Sequence, residues 1–189
     1  KPLREILALL KPYEKVAILG CSECAAACEV GGDKEVQAMK EQLEAAGKTV
    51  PASAVLTTSC SVLLNKKELR GIKDAMADAD AILSLACGDG VQTLAEQVDI
   101  PVIPGSNTMY LGKRERAGVF KEMCRMCGSC VLGRTAGICP VTQCGKGLLN
   151  GPCGGQKNGK CEVIPENDCA WITIYNKLSE QGHLQIMER

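Results

Sequence analysis

Eight cysteines crowd into residues 124–169, and the first three stand as Cys124-x2-Cys127-x2-Cys130. That spacing opens the bacterial ferredoxin run, and Cys139-Pro140 supplies its usual ending, although eight residues separate Cys130 from Cys139 where ferredoxins have three. Cys144, Cys153, Cys161 and Cys169 follow at intervals of 4, 8, 7 and 7 residues. Thiolates in such numbers either bridge one another or bind metal. With five more in the first half, the total of 13 is odd and fits a complete disulfide framework poorly. No stretch reads as a secretory signal and no apolar run approaches the roughly 18 residues of a membrane span. A reducing cytoplasm is therefore expected, where this pattern binds metal.

Eight thiols in the second half suit two four-iron clusters, four-thiolate zinc sites, or one of each. Zinc modules more often show paired C-x2-C knuckles, and only one such stretch is present here. Several cysteine-only sites in a glycine-rich module suit a redox chain, so [4Fe-4S] clusters are the preferred reading, with Zn2+ open for part of the module. Gly128, Gly133, Gly137, Gly145, Gly147, Gly151, Gly154 and Gly155 would let backbone amides approach the sulfurs. The partial P-loop match from Gly154 to Lys160 fails, because Cys161 replaces Ser or Thr and no strand precedes it.

The other five thiols need positioning elements. Short apolar runs at 16–19, 52–56, 81–86 and 100–103 read as strands; helical spacing marks 33–46, 68–77 and 91–98. Alternation of this kind predicts an α/β fold, a small parallel-sheet, Rossmann-like domain over 1–117, followed by an irregular Cys/Gly-rich metal-binding module over 118–189. Cys21, Cys60 and Cys87 each follow a strand, so all three should lie along the carboxyl edge of the sheet, where open α/β sheets bind ligands. Cys24 and Cys28 share the loop and helix start with Cys21. Five thiols thus converge, and a four-thiolate cluster leaves one spare. The alternative for any one of them is a buried small apolar residue.

Several function classes fall away. Twenty-two acidic and 22 basic residues cancel and only five aromatics are present, which argues against a nucleic-acid surface. No paired carboxylates, Ser–His–Asp set or Cys–His dyad stands out for catalysis. His183 sits near a polar terminus, where solvent suits it better than a metal. Trp171 and Tyr175 are expected to pack a terminal helix, 170–178, onto the cysteine module. A nucleotide-binding reading rests only on Gly88-Asp-Gly90, where Thr93 stands in place of the third glycine.

The stretch Cys139-Pro-Val-Thr-Gln-Cys144-Gly-Lys-Gly-Leu-Leu-Asn-Gly-Pro-Cys153-Gly-Gly, continuing through Cys161 to Asp168-Cys-Ala-Trp171, resembles the C-terminal domain of the methylenetetrahydrofolate reductase accessory family. The front end, with Gly20-Cys-Ser-Glu-Cys24 and Ala86-Cys-Gly-Asp-Gly-Val-Gln92, is similar to the small iron–sulfur subunit of acetogen-type reductases. The resemblance implies a non-catalytic, cytoplasmic subunit with two or three [4Fe-4S] clusters. It also implies an upstream electron donor protein and a partner subunit whose FMN or FAD reduces methylenetetrahydrofolate in the reductive acetyl-CoA pathway. The second expectation is a zinc-stapled adaptor for a one-carbon enzyme.

Overall fold

A computed structural model describes residues 1–188 of the chain. It forms two compact units, Lys1–Thr108 and Met109–Arg189.

The first unit is built on a four-stranded parallel sheet in the order β2-β1-β3-β4, with β1 Val16–Cys21, β2 Ser53–Leu56, β3 Ala81–Ser84 and β4 Val102–Pro104. Every residue of β1 and β3 is buried, which is why these strands read as unbroken apolar runs: a parallel strand covered on both faces has no polar side to alternate with. Their side chains still divide by parity. Val16, Ile18, Leu83 and Leu85 pack with Ile6 of α1 (Leu3–Leu9), Leu10, and Val36 and Leu43 of α3 (Asp33–Ala45). Ala17, Leu19 and Ile82 pack on the other face with Leu56, Leu69 of α4 (Val62–Ile72) and Leu94 of α5 (Gly88–Ala95). Fully buried leucines such as Leu43 and Leu94 each stabilise this arrangement by about 1.5–3 kcal/mol.

Local signals fix the helix ends. The Glu35 carboxylate accepts the Gly32 N–H at 2.9 Å at the start of α3, and Gly47, at φ 83°, stops the chain after it. Helix α4 starts at Val62, six residues ahead of the expected 68, capped by Ser61. Leu63 is 80% exposed and Asn65 fully buried, so the first turn inverts the apolar pattern that would have revealed it. The Asp80 carboxylate accepts the N–H groups of Glu14 and Lys15 at 3.0 and 2.8 Å, tying the approach to β1 against that to β3.

The second unit begins with an antiparallel hairpin, β5 Leu111–Arg116 and β6 Val119–Cys124, reversing at Gly118 with φ 69°. This hairpin occupies the stretch over which the composition changes. Beyond it lie a one-turn helix α6 (Pro140–Gln143), long irregular loops, and α7 (Ala170–Glu180). Trp171, Ile174 and Leu178 form the buried stripe of α7 and pack with Cys169 and Cys144. Tyr175 was expected beside Trp171, but it stands on the flank of that stripe and is half exposed. Among the described residues, no helix is long and apolar enough to cross a membrane.

Candidate metal centres

All thirteen cysteines are free thiols. The five of the first unit are delivered by three segments. Cys21 is the last residue of β1 and lies opposite Leu56, the end of β2. Cys60 lies in the loop leaving β2, and Cys87 caps the N-terminus of α5 after β3. Cys24 opens α2 (Cys24–Ala27) and Cys28 closes it, one turn apart, with the Cys28 N–H donating to the Cys24 carbonyl at 3.0 Å.

Close backbone approach makes the convergence possible. A Cβ on Gly90 would stand 2.8 Å from the Ser59 Cβ and 2.9 Å from the Ala86 Cβ, so only glycine lets α5 press against the loop carrying Cys60. Asn65 holds that loop from below, its Nδ2 donating to the Ser59 carbonyl at 2.6 Å. On the other side the segment after Cys21 folds back, and the Cys21 N–H donates to the Gly31 carbonyl at 2.9 Å. The Cys60 thiol is pushed up. Desolvation comes first, although the residue as a whole is exposed, followed by the charge of Asp89 and then of Cys87 and Cys21. Cys21 is buried in a small cluster with Ala25 and Ala86, whereas Cys24, Cys28, Cys60 and Cys87 all reach solvent.

In the second unit the first four thiols lie on and beside the hairpin. Cys124 ends β6, and its sulfur accepts the Met126 N–H at 3.3 Å. The turn through Met126 and Gly128 runs at positive φ, the geometry of a C-x2-C knuckle. Cys124, Cys127 and Cys130 are exposed. Cys139 is brought to them by α6, where Thr142 Oγ1 donates to the Met123 carbonyl at 3.1 Å and Gln143 Nε2 to the Glu122 carbonyl at 2.8 Å. The last four, Cys144, Cys153, Cys161 and Cys169, line one small cavity with Pro152 and Trp171. Backbone N–H groups of Ile164, Val163 and Gly145 hold the Cys161 thiol below the ordinary range, outweighing its desolvation and the nearby Glu162 charge. Lys146 pairs with Glu162, whose carboxyl it holds low, and the Cys153 thiol lies 3.5 Å from Glu162 Oε1.

Sequence spacing gave no sign of the Lys146–Glu162 pair, whose members meet across loops with no local signal. Gly88-Asp-Gly90 does open a helix after a strand. The stretch from Gly154 to Lys160 leads into turns and an isolated bridge, not a helix. His183 is exposed.

Among the described residues, no three Cys, His, Asp or Glu side chains already stand in ligand geometry. The chemistry of the donors, free thiols with backbone amides directed at the Cys124 and Cys161 sulfurs, is of the kind that suits a soft metal. Residues 103–189, from β4 to the end of the chain, match the family described as Methylene-tetrahydrofolate reductase C terminal. Comparison with curated proteins and with solved structures yields no match.

Proposed function

We propose that this chain is the small, non-catalytic subunit of a cytoplasmic methylenetetrahydrofolate reductase of the acetogen type. It would take electrons from a donor protein and deliver them to the FMN or FAD of a catalytic partner subunit. The observation that carries the reading is the gathering of unpaired thiols at a sheet edge and around a second, glycine-rich unit, together with the similarity of that unit to a reductase C-terminal family. Four-iron clusters, when bound, supply one-electron transfer.

The chain's own residues do the rest. In the first unit Cys24, Cys28, Cys60 and Cys87 form the accessible four-thiolate set, and Cys21, packed on Ala25 and Ala86, is the thiol left over. The eight-residue helix α5 begins at Cys87, and its amide dipole favours an anionic group at that end. In the second unit Cys124, Cys127, Cys130, Cys139, Cys144, Cys153, Cys161 and Cys169 supply two further four-thiolate sets. Among the described residues the single histidine is exposed, and the buried polar side chains are Ser59, Asn65, Ser84, Thr93 and Thr135.

The test is anaerobic purification of the chain with iron, acid-labile sulfide and reductase assays on one sample. The reading expects about eight to twelve iron with matching sulfide, a brown colour that dithionite bleaches, and no turnover until the flavin subunit is added. Reductase turnover by the chain alone, or protein without iron and sulfide, would overturn it.

A further inference from the structure

We propose that the hairpin β5–β6 is the surface by which this chain docks the flavin-bearing subunit, and that the partner meets it with an apolar patch rimmed by carboxylates. The occupant is the partner named in the proposed function, so the docking surface rests on that reading and adds its location and chemistry.

The hairpin lacks the cover that such a structure needs. Two antiparallel strands are marginal by themselves in water and become stable when further strands or a helix pack on them. β6 has such support, because Thr142 and Gln143 of α6 donate to the carbonyls of Met123 and Glu122. Among the described residues β5 pairs with β6 alone, and every one of its residues is exposed. The charges of Lys113–Arg116 guard its open edge against indiscriminate pairing, as a surface reserved for one partner requires.

The side chains around it are of the kind that interfaces bury. Met109 is 74% exposed, Met126 58% and Leu111 53%, with Tyr110 and Met123 exposed as well. Single apolar residues scattered on a surface are ordinary, but five at one strand pair are not. Methionine, tyrosine and arginine are also the types enriched where proteins meet. Within 109–126 only Val119, Phe120 and Glu122 are less than exposed, so this stretch supplies most of the roughly 20–30 residues a side of a stable interface.

Charge sets the partner's chemistry. The whole chain balances 22 acidic against 22 basic residues, yet this stretch carries Lys113, Arg114, Arg116, Lys121 and Arg125 against Glu115 and Glu122. Both carboxylates are already taken, Glu115 by Lys113 and Lys121, and Glu122 by Arg125. The excess is positive, so a complementary rim is acidic. A nucleic acid would supply the anions but no apolar patch for Met109 and Leu111, which favours a protein. Leu111 is paired with Cys124, so a subunit seated here stands beside the first thiols of the second unit.

The test uses the full chain, prepared anaerobically, and the purified flavin-bearing methylenetetrahydrofolate reductase subunit of the same organism. Binding is titrated at low and high salt, and amide exchange is followed by mass spectrometry in the free chain and in the complex. Amides of 109–116 should exchange freely in the free chain and about tenfold or more slower in the complex. Met109→Glu and Leu111→Glu should each weaken binding by about 10–30-fold. Arg116→Glu should weaken it by about two- to tenfold, an effect that shrinks as salt is raised. Leu63→Glu, at an exposed leucine of α4 in the first unit, should bind as wild type. The hairpin positions are exposed, and Trp171 emission checks that each variant keeps the fold of the second unit. Wild-type affinity in both apolar variants, equal loss in Leu63→Glu, or a complex in which 109–126 stays unprotected overturns the docking surface and leaves the electron-relay reading standing. Protection of 109–126 in the free chain also overturns it, since the chain then covers the hairpin itself. No complex between the wild-type chain and the flavin subunit sinks both.

Discussion

Replacing Gly20 by alanine should unfold the first unit's thiol-bearing edge well before the rest of the chain feels it. Gly20 sits in the central strand β1, one residue before Cys21, with the Gly31 carbonyl packed directly over it. An added Cβ would collide with that oxygen and stand 2.7 Å from Val36 Cγ2 and 3.2 Å from Val55 Cγ2. Val36 and Val55 can yield a little, but the Gly31 carbonyl is backbone and already accepts the Cys21 N–H. Overpacking of this kind costs about 1–3 kcal/mol. Loss of the Cys21–Gly31 bond adds about 0.5–1.5 kcal/mol, for a total near 2–4 kcal/mol. With a urea slope of about 2 kcal/mol per M, the middle of the usual range, the midpoint should fall by about 1–2 M. Far-UV ellipticity reads the helices of the first unit, while emission from Trp171, the only tryptophan, reads the second unit and supplies the reference. The matched control is Gly71→Ala in α4, where a Cβ meets nothing within 4 Å. That exchange should raise stability by about 0.5–1 kcal/mol through helix propensity. If Gly20→Ala matches or exceeds the wild-type midpoint, the account of how the Cys21–Gly31 loop is seated is wrong.

Three further outcomes are expected. Ile174→Ala removes a fully buried side chain from the cluster around Cys169 and should cost about 2–5 kcal/mol, read from the Trp171 emission melt; an unchanged melt would show that α7 is not anchored there. In reduced, metal-free protein, Cys161 should be alkylated at lower pH than Cys60, because amide donors favour one thiolate while desolvation and negative neighbours oppose the other; mass spectrometry showing the reverse order would contradict both causes. The folded-state pKa of Asp80 is depressed by the N–H groups of Lys15 and Glu14, so its contribution is present above the unfolded value of about 3.9 and is lost as pH falls through the lower folded value; denaturation at neutral and acid pH should therefore show a smaller acid loss in Asp80→Asn than in wild type, and equal losses would refute the tie.

What was legible in the sequence follows from where each residue ended up. β1 and β3 were plain because strands buried on both faces cannot hide their apolar character, and α7 was plain because Trp171, Ile174 and Leu178 repeat at helical spacing. The start of α4 was hidden by exposed Leu63 and buried Asn65, which reverse the usual code. The hairpin of β5 and β6 left almost no trace: Leu111–Arg116 is exposed throughout, so no alternation of faces was imposed on it. For the thiols, the sheet-edge trio could be placed because strand ends are predictable. The grouping of the eight later cysteines could not, since it depends on the pairing of Gly159 and Cys161 with Asn167 and Cys169. That long-range contact is set by loop conformation and not by any repeating pattern.

The separation of the sheet-edge thiols along the chain also dictates an order of assembly. The Cys24–Cys28 segment after β1, Cys60 after β2 and Cys87 after β3 reach one sheet edge only after β1 has paired with both β2 and β3, so a site shared by them exists only once non-local, parallel pairing is complete, the slow kind of contact in folding. Cys124, Cys127 and Cys130 lie within one short turn and one knuckle, a local structure that forms quickly. A newly made chain therefore presents three neighbouring nucleophilic sulfurs while the last residues of the same polypeptide are still being added. The early sulfurs of the sheet edge must wait, open to oxidation, until residue 87 has been delivered and the sheet has closed.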